Sequence, residues 1–253
     1  MSVSIGILFN GFVSAMISGV AFALIIFLRR RYQQLNATMR AYTWFWWVTA
    51  LVWLPVAIRY SITGFGYAGP WLRYLDIIVQ AAVFFTGPPL FVYVTLRLFK
   101  NEKLANWLGL VSLALGCVSL WLVLKPDGIP VRDVTFFSAD AAINQTSFII
   151  FGAQAGLILA LLFFDIVSSV RTWKQTGRPG IGYEILYSTA IVIYIVLGSV
   201  DESKIIIDWP LVVFRMLNAG AFLAVYLTMT QEEASKAAYL TTEERPLNDA
   251  YAA

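Results

Sequence analysis

Apolar residues gather into seven long runs separated by short polar or Gly/Pro-containing segments, at roughly 4–28, 41–63, 71–97, 105–124, 147–170, 182–200 and 209–230. Each run holds 18 residues or more, enough for a helix to cross a hydrocarbon core of about 30 Å. The pattern predicts an all-α integral membrane protein: a seven-transmembrane helix bundle over residues 1–230 and a short cytoplasmic tail over 231–253. Every connector is short except 125–146, whose Pro, Gly and Asp residues predict an irregular lid over one end of the bundle. The tail is expected to extend the last helix by a few turns towards Pro246 and is too short for a catalytic domain.

Composition agrees with this pattern: 59% of the residues are hydrophobic and 13% charged, against about 25% charged in ordinary soluble domains. No basic residue precedes the first run, and Arg29, Arg30 and Arg31 follow it, so the run reads as a retained span rather than a cleavable leader. With alternate crossing, one side collects Arg29, Arg30, Arg31, Arg40, Lys100, Lys103, Arg171, Lys174, Arg178, Lys236 and Arg245, with Arg97 at a helix end. The other side holds Asp127, Asp133, Asp140, Asp201, Glu202 and Asp208 against Lys125, Arg132 and Lys204. The positive-inside rule then puts the N-terminus outside and the C-terminus in the cytoplasm. The net charge of +3 describes this orientation; the expected partner is the lipid bilayer, and no nucleic acid is expected. The lack of processing signals and of paired cysteines fits a bacterial inner membrane. Asn144-Gln145-Thr146 is formally a glycosylation triplet on the outer side.

The chain contains no histidine, which removes bis-histidine haem and the usual histidine ligation of copper, iron or zinc. The single cysteine, Cys117, lies inside the fourth span and excludes an intramolecular disulfide. HExxH, GxSxG and phosphate-binding glycine loops are absent from the sequence. No catalytic residue, metal or cofactor is therefore expected, and the chain does not read as an enzyme. Spans one to three have no echo in spans five to seven, so a duplicated transporter is not supported. Trp71-Leu72-Arg73-Tyr74-Leu75-Asp76 resembles the Arg-Tyr-x-Asp start of the third helix in microbial rhodopsins. That resemblance implies a lysine in the last span to bind retinal; residues 209–230 contain none, and Lys204 falls in the outer connector.

Ionisable residues inside spans are costly and mark functional sites by default. Counted inward at about 1.5 Å per residue, Asp76 lies roughly 8 Å deep on the third span, with Gln80 one turn below it on the same face. Arg215 is at similar depth on the seventh span, with Asn218 three residues on. Asn10, Gln154 and Tyr194 fall in the same layer, and Arg59 is near the outer end of the second span. One reading is an outward-facing polar pocket in which Asp76 and Arg215 pair with each other or hold a small-molecule ligand, with Gln80, Gln154, Tyr194 and Asn218 supplying hydrogen bonds. An unpartnered Arg215 favours an anionic ligand. The other reading has Arg215 reaching Asp208, Asp76 paired with Arg73 or Arg59, and the amides bonding helix to helix.

At the inner side Asp165 and Glu184 are expected to form an interfacial salt bridge near Arg171, Lys174 and Arg178, holding that helix hairpin. Trp44, Trp46, Trp47, Trp71, Trp107, Trp173 and Trp209 lie near span ends and read as interfacial anchors. Pro55 and the pair Pro88-Pro89 after Gly87 are expected to kink the second and third spans. Gly109, Gly116, Gly152, Gly156 and Gly220 would allow close helix contact.

From the second span onward the order of features resembles the seven-transmembrane N-terminal sensor region of bacterial histidine kinases and diguanylate cyclases. The resemblance covers roughly 41–230 and rests on the aromatic-rich stretch Trp44 to Trp53, on Trp71-Leu72-Arg73-Tyr74 opening a span that ends Gly87-Pro88-Pro89-Leu90-Phe91, and on Asp208-Trp209-Pro210-Leu211 closing the penultimate loop. It implies a non-catalytic sensor or receptor-like module that passes a ligand or membrane state to an output domain. No such domain lies in this sequence, so signal transduction is expected to run through a membrane or cytoplasmic protein partner. The alternative class is an accessory or assembly subunit of a larger membrane complex.

Overall fold

The computed structural model describes residues 3–30, 32–125, 132–137, 139–141, 144–203 and 208–243. Seven helical segments in it are long and apolar enough to cross a membrane. The first two are α1 (Ile5–Arg29) and α2 (Ala37–Gly64); the third is divided into α3 (Leu72–Phe84) and α4 (Gly87–Phe99). They are followed by α5 (Glu102–Leu124), α6 (Gln145–Thr176), α7 (Pro179–Ser203) and α8 (Trp209–Glu243). Asparagine caps set three of the starts. Asn36 accepts from the Met39 N–H at 2.9 Å, Asn101 from Leu104 at 3.0 Å, and Asn144 from Thr146 and Ser147 at 3.0 and 3.3 Å. Lys100 and Gly177, both with positive φ, end α4 and α6 and turn the chain back.

The expected kink in the third span is a break. The Phe85 N–H bonds the Ala81 and Ala82 carbonyls and the Thr86 N–H bonds Val83, so α3 closes tightly before α4 begins. Pro88 and Pro89 then occupy the first turn of α4, where a missing N–H is tolerated. Through Pro55, by contrast, α2 remains one helix.

The segments pack in chain order around a closed ring: α1 on α2, α2 on α3 and α4, α4 on α5 and α6, then α6 on α7, α7 on α8, and α8 back on α1. The second and third segments are the most enclosed and α5 and α6 the least. On α5 the residues turned inward are Ala105, Gly109, Ser112, Gly116, Ser119 and Val123, at alternating steps of four and three. Trp107, Leu110, Val111, Val118 and Trp121 face outward on the same helix. Small inside and large outside is the arrangement of a helix that gains contact by close approach rather than by withdrawal from water. A Cβ on Gly109 would lie 2.9 Å from Val92 Cγ2. Gly152, Gly156 and Gly220 are exposed and a Cβ on any of them meets nothing within 4 Å, so the close contact expected of them is not made among the described residues.

Aromatic side chains fill the centre. Tyr42 packs on Tyr93 and Tyr187 at 5.3 and 5.7 Å between ring centroids, Phe45 on Tyr194 at 5.4 Å, and Trp46 on Phe222 at 4.5 Å. Trp46, expected as an interfacial anchor, is thus a core residue, because α2 is enclosed on most of its circumference. Trp44, Trp71, Trp107, Trp173 and Trp209 are exposed and Trp47 half-buried.

The connector between α5 and α6 is more regular than expected. Strands β1 (Arg132–Val134) and β2 (Ala139–Ala141) pair antiparallel, with Asp133 opposite Asp140. The segment between them is tied down at three places. Ser4 Oγ donates to the Phe136 carbonyl at 3.0 Å, Asn10 Nδ2 donates to the Phe137 carbonyl at 2.8 Å, and Asp208 accepts from the Phe137 N–H at 3.0 Å. Gly6 on α1 is required there, since a Cβ would sit 2.5 Å from the Phe136 carbonyl oxygen. Lys204, Asp127 and the tail beyond Glu243 lie outside the described residues.

Candidate functional site: a polar-capped cavity inside the bundle

A cavity of about 70 Å³, counted as the space open to the centres of water molecules, lies among α2, α3, α4, α6, α7 and α8. That is enough for several waters or a small molecule. Its floor and walls are mostly aliphatic, including Val52, Val56, Val83, Leu90, Ile158 and Ile195. Its polar lining comprises Arg59, Gln80, Thr86, Gln154, Tyr194, Asp201 and Arg215. Four of the six residues singled out in the sequence, Gln80, Gln154, Tyr194 and Arg215, therefore line one space. Asp76 and Asn218 are buried but do not line it.

The ionic pairing differs from an Asp76–Arg215 bridge. Asp76 is paired with Arg59 of α2. Arg215 reaches Asp201 of α7 through Nε at 3.1 Å and Nη2 at 3.0 Å, and its Nη1 donates to Asn10 Oδ1 at 2.9 Å. Ring order explains the difference: α3 packs against α2 and α5, and α8 against α7 and α1, so each charge finds its partner on an adjacent helix. Asp201 reads as a connector residue in the sequence but belongs to α7, which runs to Ser203. The Arg215 guanidinium also lies 4.7 Å from the ring centroid of Tyr60 and 5.6 Å from that of Trp53. Asn10, already bonded to the hairpin, joins this cluster to the connector between α5 and α6.

Lower in the cavity Gln154 Oε1 accepts from Ser112 Oγ of α5 at 2.5 Å. Gly87 is a glycine for this reason: a Cβ there would fall 2.5 Å from Ser112 Oγ and 3.0 Å from Gln154 Oε1. Asn218 Oδ1 has no hydrogen-bond partner among the described residues.

A second opening, about 1080 Å³, lies at the other end of the bundle, with Arg97, Lys100, Asp165, Ser169, Arg178 and Glu184 among its lining. Here the expected Asp165–Glu184 bridge to loop cations is replaced by one centred on Arg97. Arg97 Nε meets both Asp165 oxygens at 3.0 and 2.9 Å, Nη2 donates to Ser169 at 3.1 Å, and Nη1 meets Glu184 at 3.0 Å. Ser188 Oγ donates to Asp165 at 2.6 Å and lies 3.2 Å from Tyr93 Oη. The network joins α4, α6 and α7. Tyr93 and Tyr187 line this opening while Tyr194 lines the cavity, and the aromatic cluster stands between the two.

Among the described residues no three of Asp, Glu or Cys come together as they would around a metal ion, and no lysine lines the cavity. Comparison with known families, curated proteins and solved structures gave no match to this chain.

Proposed function

We propose that the chain spans a membrane seven times, N-terminus outside and C-terminus in the cytoplasm, and serves as a sensor or receptor-like module. A small molecule occupies the cavity, and the occupied state is read by a protein partner on the cytoplasmic side. Orientation is supported by the charge distribution, with Arg29, Arg30, Arg40, Lys103, Arg171 and Lys174 at one end of the bundle and Asp201 and Asp208 at the other. This pattern and the single cysteine suit a bacterial inner membrane.

The observation that carries the sensor reading is the course of α8. Arg215 lines the cavity, and the same helix continues unbroken to Glu243, beyond the part long enough to cross a bilayer. A change at Arg215 therefore has a rigid element along which to reach the inner surface. The resemblance to kinase and cyclase sensor regions points the same way.

Gentle purification followed by mass spectrometry of both proteins and small molecules tests this. The expected result is a small molecule retained by the wild type and lost from Gly198→Leu. Gly198 lines the cavity and a Cβ there meets nothing within 4 Å, so the first atom of the larger side chain is accommodated. Retention of the same molecule by that variant overturns the reading.

A second reading, a structural subunit of a larger membrane complex, is favoured by α6. Its Gly152, Gly156 and Ala160 are exposed at four-residue spacing, and a Cβ on either glycine meets nothing within 4 Å among the described residues. A stoichiometric set of other membrane proteins, released by Gly156→Leu, would establish it.

A further inference from the structure

The cavity's charges are already closed on one another. Arg215 spends Nε and Nη2 on Asp201 and Nη1 on Asn10, and Arg59 is paired with Asp76. An anionic ligand would have to displace one of these carboxylates and leave it buried without its cation, and a cationic ligand would strand a guanidinium in the same way. Arg59 and Arg215, with Asp201 in the lining and Asp76 behind it, thus form a neutral cap above an aliphatic chamber.

Among the described lining residues, Gln154 keeps a donor that is neither bonded nor sealed. Gln154 is nine-tenths buried and lines the cavity, and its Oε1 is taken by Ser112. The amide nitrogen has no hydrogen-bond partner among the described residues, yet it is not among the polar atoms sealed from all space. A buried donor open to a cavity is the group that a ligand oxygen would satisfy. Around it, Val83, Leu90, Ile158 and Ile195 offer only apolar contact.

We infer that the cavity takes an uncharged, largely aliphatic small molecule bearing one hydrogen-bond acceptor, such as a carbonyl oxygen, which Gln154 Nε2 recognises. This inference rests on the proposal that the cavity is a ligand site and adds the chemistry of the ligand. Discrimination follows from the same geometry. A fatty acid anion or an alkylammonium of equal length fills the same chamber but must open an ion pair to place its charge, whereas a neutral ketone leaves Arg59 and Arg215 as they are.

Three probes of matched length decide it: methyl butyl ketone, hexanoate and hexylammonium, titrated calorimetrically into the full chain in lipid nanodiscs, with empty nanodiscs subtracted. The expected result is saturable binding of the ketone alone. Gln154→Met, which keeps the side-chain length and removes the donor, should weaken ketone binding roughly tenfold, the equivalent of one neutral hydrogen bond. Gly198→Phe, which places a large side chain at a cavity-lining position of α7, should abolish it, so the test stands even if Gln154→Met fails to fold. Saturable hexanoate or hexylammonium binding that Gly198→Phe abolishes would overturn the neutral-ligand inference and leave the ligand-site reading intact. Ketone binding unchanged by Gln154→Met would also overturn it, and saturable binding of no probe would count against both.

Discussion

Arg215 holds Asp201 edge-on, with Nε and Nη2 both in contact with the carboxylate, although the two residues stand on different helices, α8 and α7. The pair fixes α8 against α7 at the level of the cavity. A buried pair of this kind adds little net stability over apolar substitutes, but breaking one side is costly.

Arg215→Met should accordingly destabilise the protein by about 3 kcal/mol, the lower end of the usual range because Asp201 keeps some exposure. Combining it with Asp201→Leu should recover most of that loss. Reversible unfolding in mixed micelles measures both, and a double variant as unstable as the single one would contradict the account.

The Arg97 network gives an internal comparison. Asp165 is buried and receives Arg97 and Ser188, whereas the Glu184 side chain is half exposed. Asp165→Asn should cost about 3–5 kcal/mol and Glu184→Gln about 1 kcal/mol or less. Equal costs in the same unfolding assay would mean that Arg97 does not distinguish its two acids by burial.

Two glycines lining the cavity should respond in opposite ways. Gly198→Ala adds a methyl group to open space in a helix and should stabilise by up to about 1 kcal/mol. Gly87→Ala collides with the Ser112–Gln154 bond and should destabilise by about 1–3 kcal/mol. Thermal unfolding of the two variants side by side tests the local packing.

Orientation can be read chemically once Cys117 is replaced by serine. A cysteine at Tyr67 should react with a membrane-impermeant maleimide on intact cells, and one at Lys174 only after the cells are opened. The reverse order would invert the proposed topology.

The seven segments were legible because run length alone distinguishes a bilayer-crossing helix from other apolar stretches. Their starts were less legible. Asn36, Asn101 and Asn144 cap α2, α5 and α6 several residues before the runs become continuously apolar, so hydropathy placed those starts late while capping chemistry would have placed them correctly. Depth along a helix also identified Gln80, Gln154, Tyr194 and Arg215 as one layer. It could not identify who pairs with whom, because that depends on ring order and on rotation about each axis. Arg97 read as one more inner-end cation for the same reason: nothing local shows that Asp165 and Glu184, far along the chain, turn towards it. The hairpin left no alternating pattern to recognise, and its place is fixed by Asn10 and Asp208 from outside the segment.

The interruption between Phe84 and Gly87 has a consequence for the inventory of backbone donors at mid-depth. A helix that starts anew inside an apolar layer exposes N–H groups with no carbonyl behind them. Here the Thr86 N–H is used on Val83, and Pro88 and Pro89 possess none, so Gly87 alone contributes an amide hydrogen over those three positions. The proline pair therefore strips the new end of the groups that would make a break intolerable in hydrocarbon. The third segment can thus exist as two short helices meeting at the cavity wall, at little cost in unsatisfied hydrogen bonding.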